Sequence, residues 1–506
     1  MKGQLFARKP VELILKEMEG AGRLKRVLGP VALTALGIGC IIGTGIFVLT
    51  GVAAHDKAGP ALMLSFVVSG FACIMAALCY AEFAAMTPVA GSAYTYAYAT
   101  MGELFAWIIG WDLVIEYAMA SSAVAHGWSH YFQNLIGIFG INVPYALSRT
   151  PFDFDTAIGQ IVATGTIINL PAIIITVILT AILVIGIKES ARLNAVMVAI
   201  KIAVVFFVIA VGAFYVKPEN WYPFAPFGLG GLSIFGKTVL GQTSANGQPL
   251  GMLAGAAVIF FAYIGFDMVS TQAEEAVNPK RDIPIGIIAS LLICTVLYIA
   301  VSAIITGMVP YNQINIDAPI AEAFKQVGLP WAQLIIALGA LAGITSVLMA
   351  MMLGQSRVLL AMARDGLLPR SFFASVHERF RTPWKSTILT GAFVAVTAAV
   401  VPLRILAELV NIGTLLAFVM VCLAVLIMRK TNPQTPRPFR VPFVPVVPIL
   451  GIASCLMLMF SLPSENWLRL FVWLLIGLVI YFSYGRRKSV MRKYIEAANG
   501  MQKPEN

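Results

Sequence analysis

The chain has 506 residues, of which 59% are hydrophobic and only 12% charged, with a mean hydropathy of +0.86 and a formal net charge of +11. A water-soluble protein of this length carries about a quarter charged residues, so the composition excludes an ordinary soluble enzyme and demands a solvent other than water. The positive charge is spread along the chain rather than gathered on one soluble face, which excludes nucleic acid as a partner.

Residues 1–30 form a charged N-terminal segment. They do not read as a signal peptide, because the first apolar run starts near Val31 and reaches spanning length. Apolar segments then follow at 31–53, 60–86, 104–133, 166–187, 193–216, 252–273, 285–309, 331–360, 386–403, 405–428, 443–462 and 467–484. Ile285 to Val309 and Asn169 to Ile187 contain no Asp, Glu, Lys, Arg or His. About 18 to 20 such residues cross a hydrocarbon core of about 30 Å. A buried helix of a soluble core accounts for one such run but not for a dozen. The sequence therefore predicts an all-α polytopic membrane protein of about twelve spans, with lipids as its surroundings.

Twelve spans put both termini on one side. With that side cytoplasmic, the cytoplasmic segments hold 26 Lys and Arg against 7 on the other side. The positive-inside rule then predicts a multi-pass cell-membrane protein with both termini cytoplasmic. The stretch 87–103, which has no basic residue, is the exception. The expected organisation is a cytoplasmic segment 1–30, a first five-helix unit 31–216, an extracellular loop 217–251, a second five-helix unit 252–428, helices 11 and 12 within 429–484, and a cytoplasmic tail 485–506.

Two spans are weak as helices. The first places Gly37, Gly39, Gly43 and Gly45 within nine residues, and the sixth places Gly265 beside Asp267. Each interior glycine costs about 1 kcal/mol against alanine. A lone pair of glycines most often marks close helix packing. Spans 1 and 6 are corresponding members of the two halves, however, and paired interruptions point to a transporter binding site. A break frees N–H groups at a new helix N-terminus, which attract a carboxylate, and carbonyls that accept from an ammonium group. Gly43, Thr44 and Gly45 are the candidates for the carboxylate, with Ile42 beside them as a further substrate-binding candidate. Phe261, Ala262, Ile264 and Gly265 are the candidates for the ammonium side.

Ionisable residues inside spans are costly enough, at about 2.5–3.5 kcal/mol, to signal function. Lys201 lies about 13 Å along span 5 and Glu116 about 18 Å along span 3 at 1.5 Å per residue. The two share a depth with opposite signs, which suggests either an ion pair that fixes helix register or a proton-coupling site. Asp112 lies one turn from Glu116 on the same face. Asp267 and Arg357 are gate candidates, whereas Glu274 and Glu275 suit a solvated face or gate contact. The six cysteines fall in apolar segments and the four histidines are scattered, so neither a metal nor a cofactor is expected. No nucleotide loop or nucleophile arrangement suggests an enzyme.

Several stretches resemble the cationic amino acid transporter family of the amino acid–polyamine–organocation superfamily. They are Leu36–Phe47 (LGIGCIIGTGIF), Tyr80–Tyr98, Gly186–Lys201, Asn220–Gly228, Phe260–Pro284 and Arg437–Pro448. The resemblance implies two inverted five-helix repeats with helices 1 and 6 broken, plus two C-terminal helices. It implies a substrate carboxylate on the Gly43-Thr44-Gly45 backbone with Phe261 closing over it. It also implies that Lys201 stands where sodium sits in sodium-coupled relatives, with Glu116 as its partner. Animal members have two further spans and move cationic substrates, so the family does not settle the cargo. Met349 and Met351 are candidates to line the side-chain pocket, which would suit a small neutral amino acid better than a cationic one.

The expected function is proton-coupled, sodium-independent import of small neutral (or cationic) L-amino acids. The alternatives are an amino acid exchanger and a membrane receptor that binds without transport. A small accessory membrane protein is an open partner.

Overall fold

Helices take up nearly all of the apolar sequence. The computed structural model describes residues 2–10, 28–86, 92–155, 160–185, 187–245, 247–273 and 275–501. Among them, eight helical stretches are long and apolar enough to cross a membrane: Gly45–Met86, Glu103–Ile138, Ala195–Tyr215, Met252–Gln272, Pro279–Met308, Pro330–Arg364, Leu403–Thr431 and Ser464–Lys488. Four shorter apolar helices accompany them, Pro30–Ile41, Leu170–Ile185, Trp384–Val400 and Val446–Phe460. Large apolar side chains such as Val177, Phe206, Val396 and Leu475 stay more than half exposed on the outer surface. In a multi-pass membrane protein that surface meets lipid tails rather than water.

The ends of the elements differ from expectation where proline starts a helix. The helix expected at 285–309 begins six residues earlier, with Pro279 in its first turn and Asn278 before it. Pro lacks an N–H, and the first turn does not need one. Three two-stranded hairpins, Phe152–Asp155 with Gln160–Ala163, Leu232–Ile234 with Lys237–Leu240, and Gln242–Thr243 with Pro249–Leu250, correct the all-α expectation in the connections. A short helix, Pro319–Gln326, also lies between apolar segments.

Small residues let the inner helices approach closely. A Cβ at Gly339 would lie 2.3 Å from Val204 Cγ2, and one at Gly343 would lie 3.1 Å from Lys201 Cβ. The Pro330–Arg364 helix thus offers a glycine-lined groove, of the small-xxx-small type, to the helix that carries Lys201. Gly39 does the same for Val198 of that helix, at 2.7 Å.

Residues 92–103, the described part of the basic-free 87–103 stretch, are covered by segments far away in sequence. Both ends of the chain cover them. The Lys9 N–H donates to the Tyr98 carbonyl, and Glu103 accepts from Gln4, Tyr98, Tyr481 and Ser489. Lys9 Nζ reaches Asp365 Oδ1 at 2.7 Å, and Tyr94 donates to Asp365 Oδ2 at 2.6 Å. Burial, and then the neighbouring Asp365 carboxylate, raise the Tyr94 hydroxyl well above its ordinary range and keep it a donor. Basic residues near this stretch, such as Lys9 and Arg486, come from the two terminal segments that lie across it.

Candidate functional site

Both expected helix breaks are present, and they touch. The Pro30–Ile41 helix stops at Ile42, whose backbone is extended (φ −73°, ψ 104°), and helical structure resumes at Thr44. The Met252–Ile259 helix tightens into a 3-10 turn over Phe260–Tyr263, turns extended at Ile264, and restarts after Gly265 at φ 116°. That left-handed conformation requires glycine. A Cβ on Gly265 would also sit 2.7 Å from the Cys40 carbonyl oxygen, and one on Gly45 would sit 2.3 Å from Ala262 Cα. Glycine at both places is what brings the two breaks into contact.

The broken ends have opposite polarity. The Pro30–Ile41 half presents its C-terminal carbonyls, the negative end of its dipole, and the half beginning at Thr44 presents N–H groups with no partner one turn back. Lys201 meets the carbonyl end. Its ammonium donates to the carbonyls of Gly39 and Ile42, the latter at 2.8 Å, and to Ser346 Oγ at 2.8 Å. Three acceptors match the three N–H donors of an ammonium group. Lys201 therefore acts as a cationic cap on the broken helix, as the dipole favours. Tyr298 Oη ties the breaks together, lying 2.9 Å from both the Ile41 and Ala262 carbonyl oxygens.

The N–H end faces a closed central cavity lined by Ile41, Gly43, Thr44, Gly45, Ala120, Val124, Phe261, Ile264, Val347 and Met351. Its volume, about 10 Å³, is close to what one water needs. Thr44 Oγ1 is buried beside it with no hydrogen-bond partner. Of the residues expected here, Gly43, Thr44, Gly45, Phe261 and Ile264 line this cavity. Ile42, Ala262 and Gly265 build its walls through Lys201, Tyr298 and Cys40 instead. Met349 does not line it, and Met351 does. The physical reason is register: Val347 and Met351 are four apart and share a helix face, whereas Met349 points away from both. Ala120 and Val124 continue the Glu116 face at intervals of four, a pattern that could have found them.

Glu116 and Lys201 are not brought together: the expected pairing is replaced by two separate clusters. Glu116 shares its surroundings with Asp112 and Asp267, and it hydrogen-bonds Thr414. Tyr117 donates to Asp267 Oδ2 at 2.9 Å. All three carboxyls are about 1% exposed, and both Asp112 oxygens, Glu116 Oε2 and Asp267 Oδ1 have no hydrogen-bond partner. Among the described residues no Lys, Arg or His forms an ion pair with them. Arg357 is half-buried farther along the Pro330–Arg364 helix, outside the cavity lining. Glu274 lies outside the described residues, and Glu275 accepts from the Leu28 N–H through its carbonyl.

Comparison with known proteins follows the same lines. The sequence model of the amino acid permease family matches residues 28–482. A branched-chain amino acid permease, BcaP, of Bacillus subtilis (strain 168) is 48% identical over 494 residues, covering 97% of this chain and 100% of that one. A methylthioribose transporter of the same organism is 46% identical over 489 residues, covering 97% and 99%. A vacuolar cationic amino acid transporter, number 4, of Arabidopsis thaliana is 39% identical over 439 residues, covering 85% and 68%.

Proposed function

Because this chain belongs to the amino acid permease family, we propose that it imports a small neutral L-amino acid together with a proton, by alternating access around the two helix breaks. The observation that carries this reading is the contact of two breaks of complementary polarity on one occluded cavity. A zwitterion suits it: the N–H groups at the Gly43–Gly45 helix start and the Thr44 hydroxyl face the carboxylate, and the carbonyls near Phe261 and Ile264 face the ammonium. Phe261 closes over the substrate, and Met351 with Val347 sets a small apolar side-chain pocket.

In this reading the helices form two inverted five-helix repeats, 31–216 and 252–428, with the termini cytoplasmic and the cell membrane as the site of action. The charge bias of 26 to 7 supports that orientation. Lys201 and the Asp112–Glu116–Asp267 group carry the proton coupling. Three buried carboxyls with no cation in ion-pair contact among the described residues are costly as anions, so protons are their natural counter-charge. Loss of the Lys201 proton would remove one of its three donors and release the broken end of the first helix. Asp267, Arg357 and Phe261 move as the gates open and close.

The relatives' names cover three cargo types, so the fold does not choose among them. The amide end of the break favours a carboxylate-bearing substrate over methylthioribose, which has no carboxylate. One observation favours a second reading: an ammonium satisfied by three acceptors also suits a purely structural Lys201, and the protein would then be an amino acid exchanger. Proteoliposome uptake of radiolabelled alanine and leucine, with and without an imposed pH gradient, separates the two. Accumulation driven by an outside-acid gradient supports import with protons. Uptake indifferent to the gradient but stimulated by internal amino acid supports exchange.

A further inference from the structure

A larger cavity lies beyond the central one. It has a volume of about 170 Å³ and is lined by His130, Gln133, Asn134, Arg149, Asp317 and Glu322, with Asn315 and Ala318 completing the wall. The minimum for one water is about 10–15 Å³, so this space holds a small solute where the central cavity does not. The Glu103–Ile138 helix fixes its position. The Glu103 end of that helix is covered by the chain termini, whereas His130 lies near the other end. The cavity therefore opens on the face remote from the termini.

We propose that this cavity is a second, outer binding site for a zwitterionic amino acid, which holds cargo before it reaches the helix breaks. The inference rests on the reading of the protein as an amino acid carrier. Its walls separate charge as a zwitterion does. Arg149 uses Nη2 to hold Asp317 Oδ2 at 3.0 Å and is half-exposed, which leaves further guanidinium donors for a carboxylate. Glu322 supplies the anionic side. Its Oε1 accepts from Asn134 at 2.7 Å and from Gln333 at 2.9 Å, and Lys325 lies 3.3 Å from Oε2. Two side-chain amides thus hold the Glu322 carboxylate in place for an ammonium, and Asp317 adds a second anion.

A trail of unpartnered polar atoms links this cavity to the central one. His130 Nδ1 lies 3.5 Å from Asp317 Oδ1, an ion-pair contact without a hydrogen bond, at the head of this trail. One turn inward, His126 packs its ring against His130 at 4.7 Å, is 5% exposed, and has no partner on either nitrogen. Its neighbour Gly127 packs directly on Thr44, with a Cβ there placed 2.9 Å from Thr44 Oγ1, itself unpartnered. Polar atoms left without protein partners at this depth are expensive for structure alone, as a route for a hydrated solute would require.

Equilibrium dialysis of radiolabelled alanine against the purified full-length protein tests this, alongside uptake kinetics. The wild type is expected to bind two alanines per chain. Arg149→Gln and Glu322→Gln are each expected to bind one and to raise KM for uptake about tenfold, the scale of one charge-assisted contact, with the maximal rate held within about twofold. Arg149→Lys, which keeps the charge, recovers part of the affinity. Gly45→Ala, whose Cβ collides with Ala262 in the central site, is expected to retain one alanine while losing uptake. A wild type that binds one alanine, with KM unchanged in both outer variants, overturns the outer site and leaves the central reading intact. A Gly45→Ala protein that stays folded and binds none also overturns it. A wild type that neither binds nor takes up any amino acid overturns the carrier reading itself.

Discussion

Lys201 and the Asp112–Glu116–Asp267 group are buried ionisable sites in one helix bundle, and they are satisfied in opposite ways. Lys201 has an acceptor for each of its three donors, two of them carbonyls of a broken helix. The carboxyl group of three leaves four of its six oxygens without a hydrogen-bond partner. A satisfied buried charge stabilises one geometry, whereas an unsatisfied one asks for something to bind. The difference teaches that the cation organises the break and that the anions are the better place to seek a moving proton.

The sharpest way to break this comparison is to remove the cap. Lys201→Ala leaves the Ile42 carbonyl without its donor and the Gly39 carbonyl with only Ser346 Oγ at 3.5 Å, at about 1–3 kcal/mol for each buried group left unmade. Gradient-driven uptake is expected to fall to background in proteoliposomes, with a lowered melting temperature in detergent. Wild-type accumulation in this variant would contradict the role given to the cap.

On the anionic side, Asp267→Asn keeps an acceptor for Tyr117 and, like Glu116→Gln, removes a titratable group. Each is expected to cut gradient-driven accumulation about a hundredfold or more, the lower end of proton-transfer contributions. Counterflow exchange, measured on the same vesicles with equal pH on both sides, is expected to persist. Equal loss of exchange and accumulation would move these residues from coupling to structure.

Tyr298→Phe separates the breaks without touching either charge. It removes the hydroxyl that bridges Ile41 and Ala262, and a loss of about 1–2 kcal/mol corresponds to roughly a five- to thirtyfold drop in kcat/KM. Met351→Ala is the mildest change. It enlarges the central cavity, and a few-fold shift of selectivity toward longer aliphatic side chains is expected in competition uptake, with Met349→Ala neutral by comparison.

Much of this arrangement is legible in sequence, for reasons that differ by residue. The breaks are legible because glycine clusters at Gly37–Gly45 and at Gly265 have few uses inside an apolar helix. Lys201 and Glu116 are legible as buried charges because the spans around them are so apolar. Their partners are not, because depth along a helix says nothing about which helices are neighbours. Gly339 and Gly343 decide that by seating the Lys201 helix in their groove. Tyr298 is hidden for another reason: a tyrosine in an apolar run reads as core until its hydroxyl is placed. Met349 and Met351 are equally legible as pocket candidates, and only the contact of Gly43 with Val347, four residues before Met351, shows which of the two faces the cavity. The outer cavity draws Arg149, Asp317 and Glu322 from connections and a short helix, where no periodicity announces them.

The central claim is that the paired breaks move an amino acid and that protons drive it. Reconstituted protein with a pH-sensitive dye inside the vesicles and radiolabelled alanine outside measures both at once. The account predicts that adding alanine acidifies the lumen, with stoichiometric solute entry, and that Asp267→Asn takes up no proton. Alanine entry with no change in internal pH would contradict it.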